Sequence, residues 1–292
     1  MSPQRAAWWF LAPAMLVLGV FFLLPVIAAL GLSLTDYDLY ALADIRHLRF
    51  VALGNYWDLL HQKKFWSALG HTLYFVIVGV PLSLMVSLGA ALLLNSPLVR
   101  CKAFFRTALF APVITTVVAV AVVWRYIFNT KYGLLNYALA TVGIHPVDWL
   151  GDPHWAMPSI ILFAVWKNFG YNMIILLAGL QAIPKDLYEA ARIDGASALQ
   201  QFRHITLPML GPTLLMAGIL TVSGYFQLFA EPYVMTEGGP LQSTTSVLYL
   251  MYNEGFKWWN FGTASAVAFL LFVIMFVVTA LMLRLGRRGA TA

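Results

Sequence analysis

Charged residues and cysteine are both scarce in this 292-residue chain. Asp, Glu, Lys and Arg make up 10% of it and hydrophobic residues 61%, whereas roughly a quarter of the residues in a soluble domain are charged. This composition excludes an ordinary soluble domain and predicts a polytopic membrane protein. The single cysteine, Cys101, excludes an intrachain disulfide, and the six histidines are too scattered for metal-ligand spacing. We therefore predict no metal site.

Sequence motifs for common catalytic chemistry are also absent. No G-x-x-x-x-G-K-[ST] phosphate loop occurs, so the chain is not expected to bind and hydrolyse ATP by the usual route. Neither an HExxH metalloprotease motif nor a G-x-S-x-G nucleophile elbow is present. We predict no catalytic residue, which argues against an intramembrane enzyme. The net charge of +6 is spread among apolar runs, which favours an effect on membrane topology over a nucleic-acid-binding face.

What the chain does contain is six apolar stretches of membrane-spanning length. Crossing a bilayer core takes about 20 predominantly apolar residues. The stretches predict an all-α membrane protein with helices at about 9–32, 69–94, 107–126, 158–180, 210–229 and 264–283. We divide the chain into residues 1–68, a main transmembrane domain over 69–283, and a basic tail over 284–292. The long connections 33–68, 127–157 and 230–263 are predicted to form short helices and packed loops.

The distribution of basic residues predicts the orientation. With both termini in the cytoplasm, ten basic residues and three acids fall inside, against seven basic residues and nine acids outside. This arrangement follows the positive-inside rule. The ten are Arg5, Arg100, Lys102, Arg106, Lys185, Arg192, Arg203, Arg284, Arg287 and Arg288.

One predicted cytoplasmic segment, residues 182–209, is polar and carries clear local signals. Pro184 suits a first helical turn, Asp194-Gly195 indicates a break, and Ser197 with Gln200 forms a capping-box pattern. These signals predict a helix–turn–helix with its own apolar face, suited to docking into a groove on a partner. A pair of helices lying on the lipid surface is the alternative that the residues leave open.

The same segment matches a family motif. The pattern E-A-A-x3-G-x9-I-x-L-P is met without departure by Glu189, Ala190, Ala191, Gly195, Ile205, Leu207 and Pro208. With "FFRTALFAPVI", "LLAGLQAIPKDLYEAARIDGAS" and "FQLFAEPYVMTEGGP" in family order, the chain resembles bacterial ABC importer permeases of the carbohydrate-uptake type, those of maltose, lactose and glycerol-3-phosphate systems. It is similar to the first, F-type, of two permeases, and the resemblance covers essentially the whole chain.

The resemblance implies a fold, partners and a set of coupling residues. It implies the type I ABC importer permease fold in the bacterial inner membrane, with a cytoplasmic coupling helix pair in a cleft of an ATPase subunit. The implied partners are a second permease, an ATPase dimer that binds ATP and Mg, a solute-binding protein and the lipid bilayer, with no nucleic acid and no cofactor on this chain. The implied coupling residues are Glu189, Ala190, Ala191, Arg192, Asp194, Gly195, Ile205, Leu207 and Pro208.

Polar residues inside the fourth and fifth spans indicate a second site. Because polar groups are costly in lipid, such residues are expected to face a bundle interior or a pathway. Amides and hydroxyls beside aromatic rings suit a sugar, and ordinary hydrogen bonding between helices is the alternative. The predicted pathway residues are Asn168, Tyr171, Asn172, Thr221, Gly224, Tyr225 and Gln227.

The sequence thus predicts a permease subunit that imports a di- or oligosaccharide. The same machinery for glycerol-3-phosphate or another polyol-type solute is an alternative, although the polar fourth and fifth spans hold no arginine, a residue that phosphate recognition favours. An ion-coupled secondary transporter is a second alternative. Such transporters usually carry acids within their spans, whereas here every Asp and Glu is predicted in a loop or at the end of a span.

Overall fold

A computed structural model describes the backbone of residues 3–289, with the side chains of 3–7, 45 and 287–289 left out of the description. Positions 290–292 of the predicted tail, and the side chains of Arg5, Arg287 and Arg288, lie outside the described residues. The described part is helical, with an isolated bridge between Thr35 and Phe50. The prediction of an all-α fold is therefore confirmed.

The helices follow one another along the chain with three π-helical segments and one 3-10 turn between them. The α-helices of the described residues are α1 (Pro3–Leu18), α2 (Leu24–Ser33), α3 (Leu39–Ala43), α4 (Gly54–His61), α5 (Lys63–Asn95), α6 (Lys102–Ile114), α7 (Val117–Ile127), α8 (Leu134–Thr141), α9 (Pro153–Gln181), α10 (Lys185–Ile193), α11 (Ala198–Gln201), α12 (Leu207–Met209), α13 (Gly211–Phe226), α14 (Ala230–Met235), α15 (Val247–Tyr252) and α16 (Phe261–Gly289). The π segments are Gly19–Leu23, Phe202–Thr206 and Asn253–Lys257, and the 3-10 turn is Ile45–His47.

In the described residues, four long apolar helices and two bent helix pairs correspond to the predicted spans, which makes six if each bent pair crosses the membrane once. Four are continuous and long enough to cross a membrane: Trp8–Ser33, Lys63–Asn95, Pro153–Gln181 and Phe261–Gly286. The other two are bent pairs of helices, α6 with α7 and α11–α12 with α13. The last helix continues to Gly289, beyond the predicted end at 283.

The prediction of one continuous helix over 107–126 is wrong. The chain bends by 98° between α6 and α7, where Thr115 and Thr116 adopt extended conformations with ψ of 151° and 133°. The Thr115 hydroxyl donates to the carbonyl of Pro112 at 2.7 Å, the carbonyl that the amide of Thr116 would use in a continuing helix. Threonine side chains that bond the local backbone in this way compete with helix formation.

The fifth predicted span, 210–229, is also shorter and bent. Its helix, α13, ends at Phe226, and the chain turns by 64° between α12 and α13. The helical chain passes through Pro208 and bends at Leu210. Because Pro208 and Pro212 lack backbone N–H donors, the helical hydrogen-bond ladder is weakened on both sides of the bend.

The chain forms two compact units. One contains the residues up to Trp66 together with Leu250–Val273, and the other contains Ser67–Tyr249 together with the chain from Ile274. In the first unit the amide of Asn55 donates to the carbonyls of Ser33 and Thr35, each at 2.8 Å. These bonds fix α4 against the end of α2. The short helices α3, α4, α8, α14 and α15 confirm that the long connections are structured.

Helix α9 is central to the second unit. Of its most apolar stretch, 67% is buried, against 33% for α5. Its residues Met173, Leu176 and Leu180 pack in one buried cluster with Ala91 of α5 and Ala217 of α13. The Ser87 hydroxyl of α5 also lies 2.9 Å from the carbonyl of Phe169. The helix is therefore held on several sides, and it carries the polar residues described below.

The contact between α9 and α6 depends on a glycine. A Cβ added at Gly170 would lie 2.5 Å from the backbone carbonyl oxygen of Leu109 and 3.1 Å from the Cα of Phe110. Since these are backbone atoms, no side-chain movement relieves the clash. Small residues let helix backbones approach this closely in membrane proteins.

We predict that Gly170→Ala separates α6 from α9 and destabilises the fold by about 1–3 kcal/mol, the usual cost of overpacking. Thermal unfolding of the detergent-solubilised protein measures the effect. The matched control is Gly89→Ala on α5, where an added Cβ meets nothing within 4 Å. Equal melting temperatures for the two variants would contradict the close packing at Gly170.

Candidate functional site

A cavity of about 360 Å³ opens between α9 and α13 in the second unit. Its volume falls at the lower end of the range for small-molecule sites, roughly 300–1,000 Å³. All of the predicted pathway residues line it: Asn168, Tyr171, Asn172, Thr221, Gly224, Tyr225 and Gln227. The helical spacing that placed these residues on two facing stripes is therefore reproduced, while their role in binding stays a prediction.

A hydrogen bond joins the two helices at the cavity wall. The side-chain amide of Asn172 donates to Thr221 Oγ1 at 2.8 Å, and the Thr221 hydroxyl donates to the carbonyl of Ala217 at 2.7 Å. Asn168 donates from its amide to the carbonyl of Ala164 at 3.0 Å, within its own helix. Some of the polar lining residues therefore form ordinary hydrogen bonds between helices, the alternative to sugar binding that the sequence left open.

Two buried polar atoms of the cavity lining have no hydrogen-bond partner among the described residues. They are Asn172 Oδ1 and the hydroxyl of Tyr225, on side chains that are 2% and 4% exposed. Ser83 and Asn168 lie close to the Tyr225 hydroxyl, yet neither forms a hydrogen bond of ordinary geometry with it. Since nearly all buried polar groups in proteins are paired, each unpaired one calls for an explanation, such as a ligand.

Aromatic rings complete the cavity. The rings of Phe75 and Tyr225 pack with centroids 4.8 Å apart at 37°, and Tyr171 is about half exposed in the lining. Rings beside amides and hydroxyls form a surface to which a polyhydroxylated solute fits, because its C–H faces pack on the rings while its hydroxyls reach the polar groups.

Sequence reasoning missed Phe75 and Glu231 as lining residues. Glu231 lies within the predicted connection 230–263, in the first turn of the short helix α14, and burial raises the pKa of its carboxyl group. The available signal was the position of Glu231 in "FQLFAEPYV", a few residues after the polar stripe of the fifth span. Only the fold shows that the turn after α13 brings this residue back over the cavity.

The predicted helix–turn–helix is confirmed in its local structure. Helix α10 begins after Pro184, which is the N-cap rather than a residue of the first turn. The turn occurs at Gly195, whose φ is +77°, and the amide of Ala196 closes it by donating to the carbonyl of Ala191 at 2.8 Å. Ser197 and Gln200 form the predicted capping box.

The predicted coupling residues fall into three groups on this segment. Four of them line a groove of about 380 Å³: Ala191, Asp194, Gly195 and Ile205. Three are exposed on α10: Glu189, Ala190 and Arg192. Two are exposed on α12: Leu207 and Pro208.

The face of this segment that carries the motif is open and partly apolar. The side chains of Ile193 and Leu199 are 86% and 74% exposed. Arg192 does not pair with Glu189; its Nε donates to the carbonyl of Tyr188 at 3.2 Å, and in the described residues Glu189 belongs to no ion pair. The carboxylate of Glu189 is thus free to meet another group.

The opposite face of the segment is fixed to the helical core. The hydroxyls of Tyr188 and Thr206 lie 2.9 Å apart in a hydrogen bond, which ties α10 to the π segment before α12. Tyr188 and Ile205 also pack against the buried cluster of α5, α9 and α13. The segment is therefore held by direct contacts to helices that form the cavity.

Comparison with known proteins identifies the family. Residues 50–290 match the family described as the binding-protein-dependent transport system inner membrane component. The chain belongs to this family. It is 37% identical to the lactose transport system permease protein of Rhizobium radiobacter, covering 93% of this chain and 91% of that protein. It is 38% identical to the trehalose/maltose transport system permease protein of Thermococcus litoralis, covering 94% and 91%.

Solved structures agree on the fold. The permease matches a chain of a bacterial ABC transporter that imports the acidic polysaccharide alginate, with a TM-score of 0.79 and 22% identity, covering 98% of this chain and 96% of that one. A second structure of a bacterial alginate transporter, in complex with a pentasaccharide-bound periplasmic protein, gives a TM-score of 0.80 at 21% identity. The predicted importer-permease fold is confirmed.

Family membership has direct consequences for the permease. It is a multi-pass membrane protein and a transport component rather than an enzyme. Its family is that of binding-protein-dependent transport systems, and its relatives are named as sugar transport permeases, so an ion-coupled secondary transporter is not favoured.

We predict that Gly195→Ala loosens the turn of the helix–turn–helix. An added Cβ meets nothing within 4 Å, so the cost comes from the left-handed backbone, about 1–2 kcal/mol. Amide exchange at residues 194–196, followed by mass spectrometry, should accelerate about 5- to 30-fold. Gly195→Asn is the control, because asparagine tolerates this conformation. Equal exchange in both variants would contradict the role of the left-handed turn.

Proposed function

We propose that this chain is the membrane-spanning permease subunit of an ATP-driven importer that translocates a di- or oligosaccharide into the cytoplasm. The observation that carries the proposal is the pair of unpartnered buried atoms, Asn172 Oδ1 and the Tyr225 hydroxyl, in one cavity. Both atoms are buried in this structure, so a sugar reaches them when the side chains of the cavity wall move apart. Each sugar hydroxyl can then act as donor or acceptor to them. Asn168, Tyr171, Thr221, Gly224 and Gln227 would form the remaining wall.

The relatives support a saccharide as the solute. They are named as permeases for lactose, for trehalose and maltose, and for arabinooligosaccharides. Glycerol-3-phosphate or another polyol-type solute is not favoured: among the described residues that line the cavity there is no arginine or lysine to receive a phosphate.

The proposed assembly contains a second homologous permease, with this chain as the first of the pair, and a dimeric ATPase that binds ATP and Mg. An extracytoplasmic solute-binding protein delivers the sugar. Both termini lie in the cytoplasm, which puts α10–α12 on the side of the ATPase. This chain binds no cofactor of its own. ATP hydrolysis by the ATPase then moves the docked segment α10–α12, and this movement switches the cavity between access from outside and access from the cytoplasm.

Docking of α10–α12 on the ATPase is supported by the chemistry of its surface. Ile193 and Leu199 offer exposed apolar area beside the groove, as a helix that lies in a partner's groove requires. Glu189 offers an exposed carboxylate without an ion-pair partner among the described residues. Ala190 and Ala191 leave room for the close approach of a second backbone.

The test of the function is uptake by the reconstituted transporter. Proteoliposomes that hold the permease pair and the ATPase, with binding protein added, should accumulate at least one of lactose, maltose and trehalose. Uptake should require ATP and the binding protein and should persist when ion gradients are collapsed. Uptake of glycerol-3-phosphate alone, or uptake driven by an ion gradient, would overturn the proposal.

Tyr225→Phe tests the cavity as the sugar site. The change deletes the unpartnered hydroxyl and keeps the ring, so we expect uptake efficiency to fall about tenfold, the worth of one hydrogen bond of about 1–1.5 kcal/mol. The melting temperature should stay the same or rise, because a buried unpaired hydroxyl is removed. The control is Tyr74→Phe on α5, which is exposed. A loss of stability with unchanged uptake would indicate a structural hydroxyl.

Glu189→Gln tests the coupling role. We expect membrane insertion and stability to stay normal while sugar uptake falls at least tenfold and ATP hydrolysis no longer responds to loaded binding protein. Asp186→Asn is the matched control, since it removes an exposed acid from the first turn of the same helix outside the motif. If the two variants transport equally well, the motif glutamate has no part in coupling.

A further inference from the structure

Glu231 puts a carboxylate into the wall of the cavity. It lies in the first turn of α14 and lines the same space as Asn172 and Tyr225. Among the described residues that form this lining, Glu231 alone carries a formal charge. A solute in the cavity therefore meets one negative group and otherwise uncharged ones.

Lys167, the cation that interacts with Glu231, is not among the residues that line the cavity. Lys167 of α9 is 8% exposed, and its ammonium donates to the carbonyl of Val113 at 3.1 Å. The two charges attract each other, yet they do not approach within the 4.0 Å of an ion pair. Burial raises the pKa of Glu231, and the attraction to Lys167 offsets part of that rise. Because the two groups form no ion pair, Lys167 does not occupy the carboxylate.

An ionised carboxylate in this position is expected to bind neutral sugars more tightly than acidic ones. It accepts hydrogen bonds from hydroxyl groups, and charge-assisted bonds of this kind are stronger than neutral ones. A second carboxylate, on a uronic acid unit, would be repelled, and repulsion is stronger in a partly buried site than in water. The fold does not set this preference, since the alginate importer of the same fold carries an acidic polysaccharide.

We propose that Glu231 sets the charge selectivity of the cavity: it binds hydroxyl groups of uncharged saccharides and rejects saccharides that carry a carboxylate. The proposal rests on the saccharide function proposed above and adds the substrate class. Glu231 is accordingly a specificity-determining residue, separate from the Asn172 and Tyr225 atoms that any sugar would use.

The test measures direct binding to the permease pair with its ATPase in nanodiscs, without binding protein, so that the selectivity of that protein does not enter. The probes are lactose, maltose and trehalose, and the same three sugars oxidised at one primary hydroxyl carbon to the uronate. Saturation-transfer NMR at pH 8 gives the affinities. A high pH is chosen because burial raises the pKa of Glu231, and the carboxylate must be ionised.

For the unaltered protein we expect a neutral sugar to bind at least tenfold more tightly than its uronate. Glu231→Gln should reduce this ratio to less than threefold by improving uronate binding, and Glu231→Asp should keep most of it. Glu237→Gln is the matched control, because Glu237 is exposed and lies outside the cavity lining.

The outcomes separate this inference from the proposed function. If the neutral sugar binds and the ratio is the same in Glu231→Gln as in the unaltered protein, charge selectivity by Glu231 is rejected and the sugar site stands. If no neutral sugar binds to the unaltered protein, the sugar site is rejected and this inference falls with it.

Discussion

The contact between α9 and α13 is the constraint on which the other features of this permease depend. The bond from Asn172 to Thr221 joins the two helices beside the cavity, and the buried residues Met173 and Ala217 pack near it. At their far ends the same helices continue into α10 and from α12. The cavity wall and the polar segment are therefore two ends of one pair of helices.

The polar residues between α9 and α13 lower the stability of the folded protein. A buried polar group without a partner costs about 1–3 kcal/mol, and the cavity holds two such atoms on Asn172 and Tyr225. Apolar side chains of similar size would make a tighter helix pair. Retaining the polar groups is understandable if a solute satisfies them for part of the transport cycle and leaves them again.

The helix–turn–helix was predictable because its signals lie in neighbouring residues. The bend at Thr115 and the position of Glu231 were not, because they depend on contacts that form only in the folded protein. The capping box of Ser197 and the left-handed Gly195 are encoded by neighbouring residues, so both are found where the sequence predicts them. The stripes of Asn172 and Tyr225 follow from helical spacing alone. The bend at Thr115 arises because its hydroxyl bonds the carbonyl of Pro112 in place of a helical amide. Hydropathy contains no information about this hydrogen bond. Glu231 required knowledge of where α14 returns in space.

The most direct test of this account is a structure of the assembled transporter captured with its saccharide in the membrane. We expect the sugar between α9 and α13, with hydroxyl groups at about 2.7–3.2 Å from Asn172 Oδ1 and from the Tyr225 hydroxyl. A sugar bound elsewhere in the membrane region, with both of those atoms still unpartnered, would contradict it.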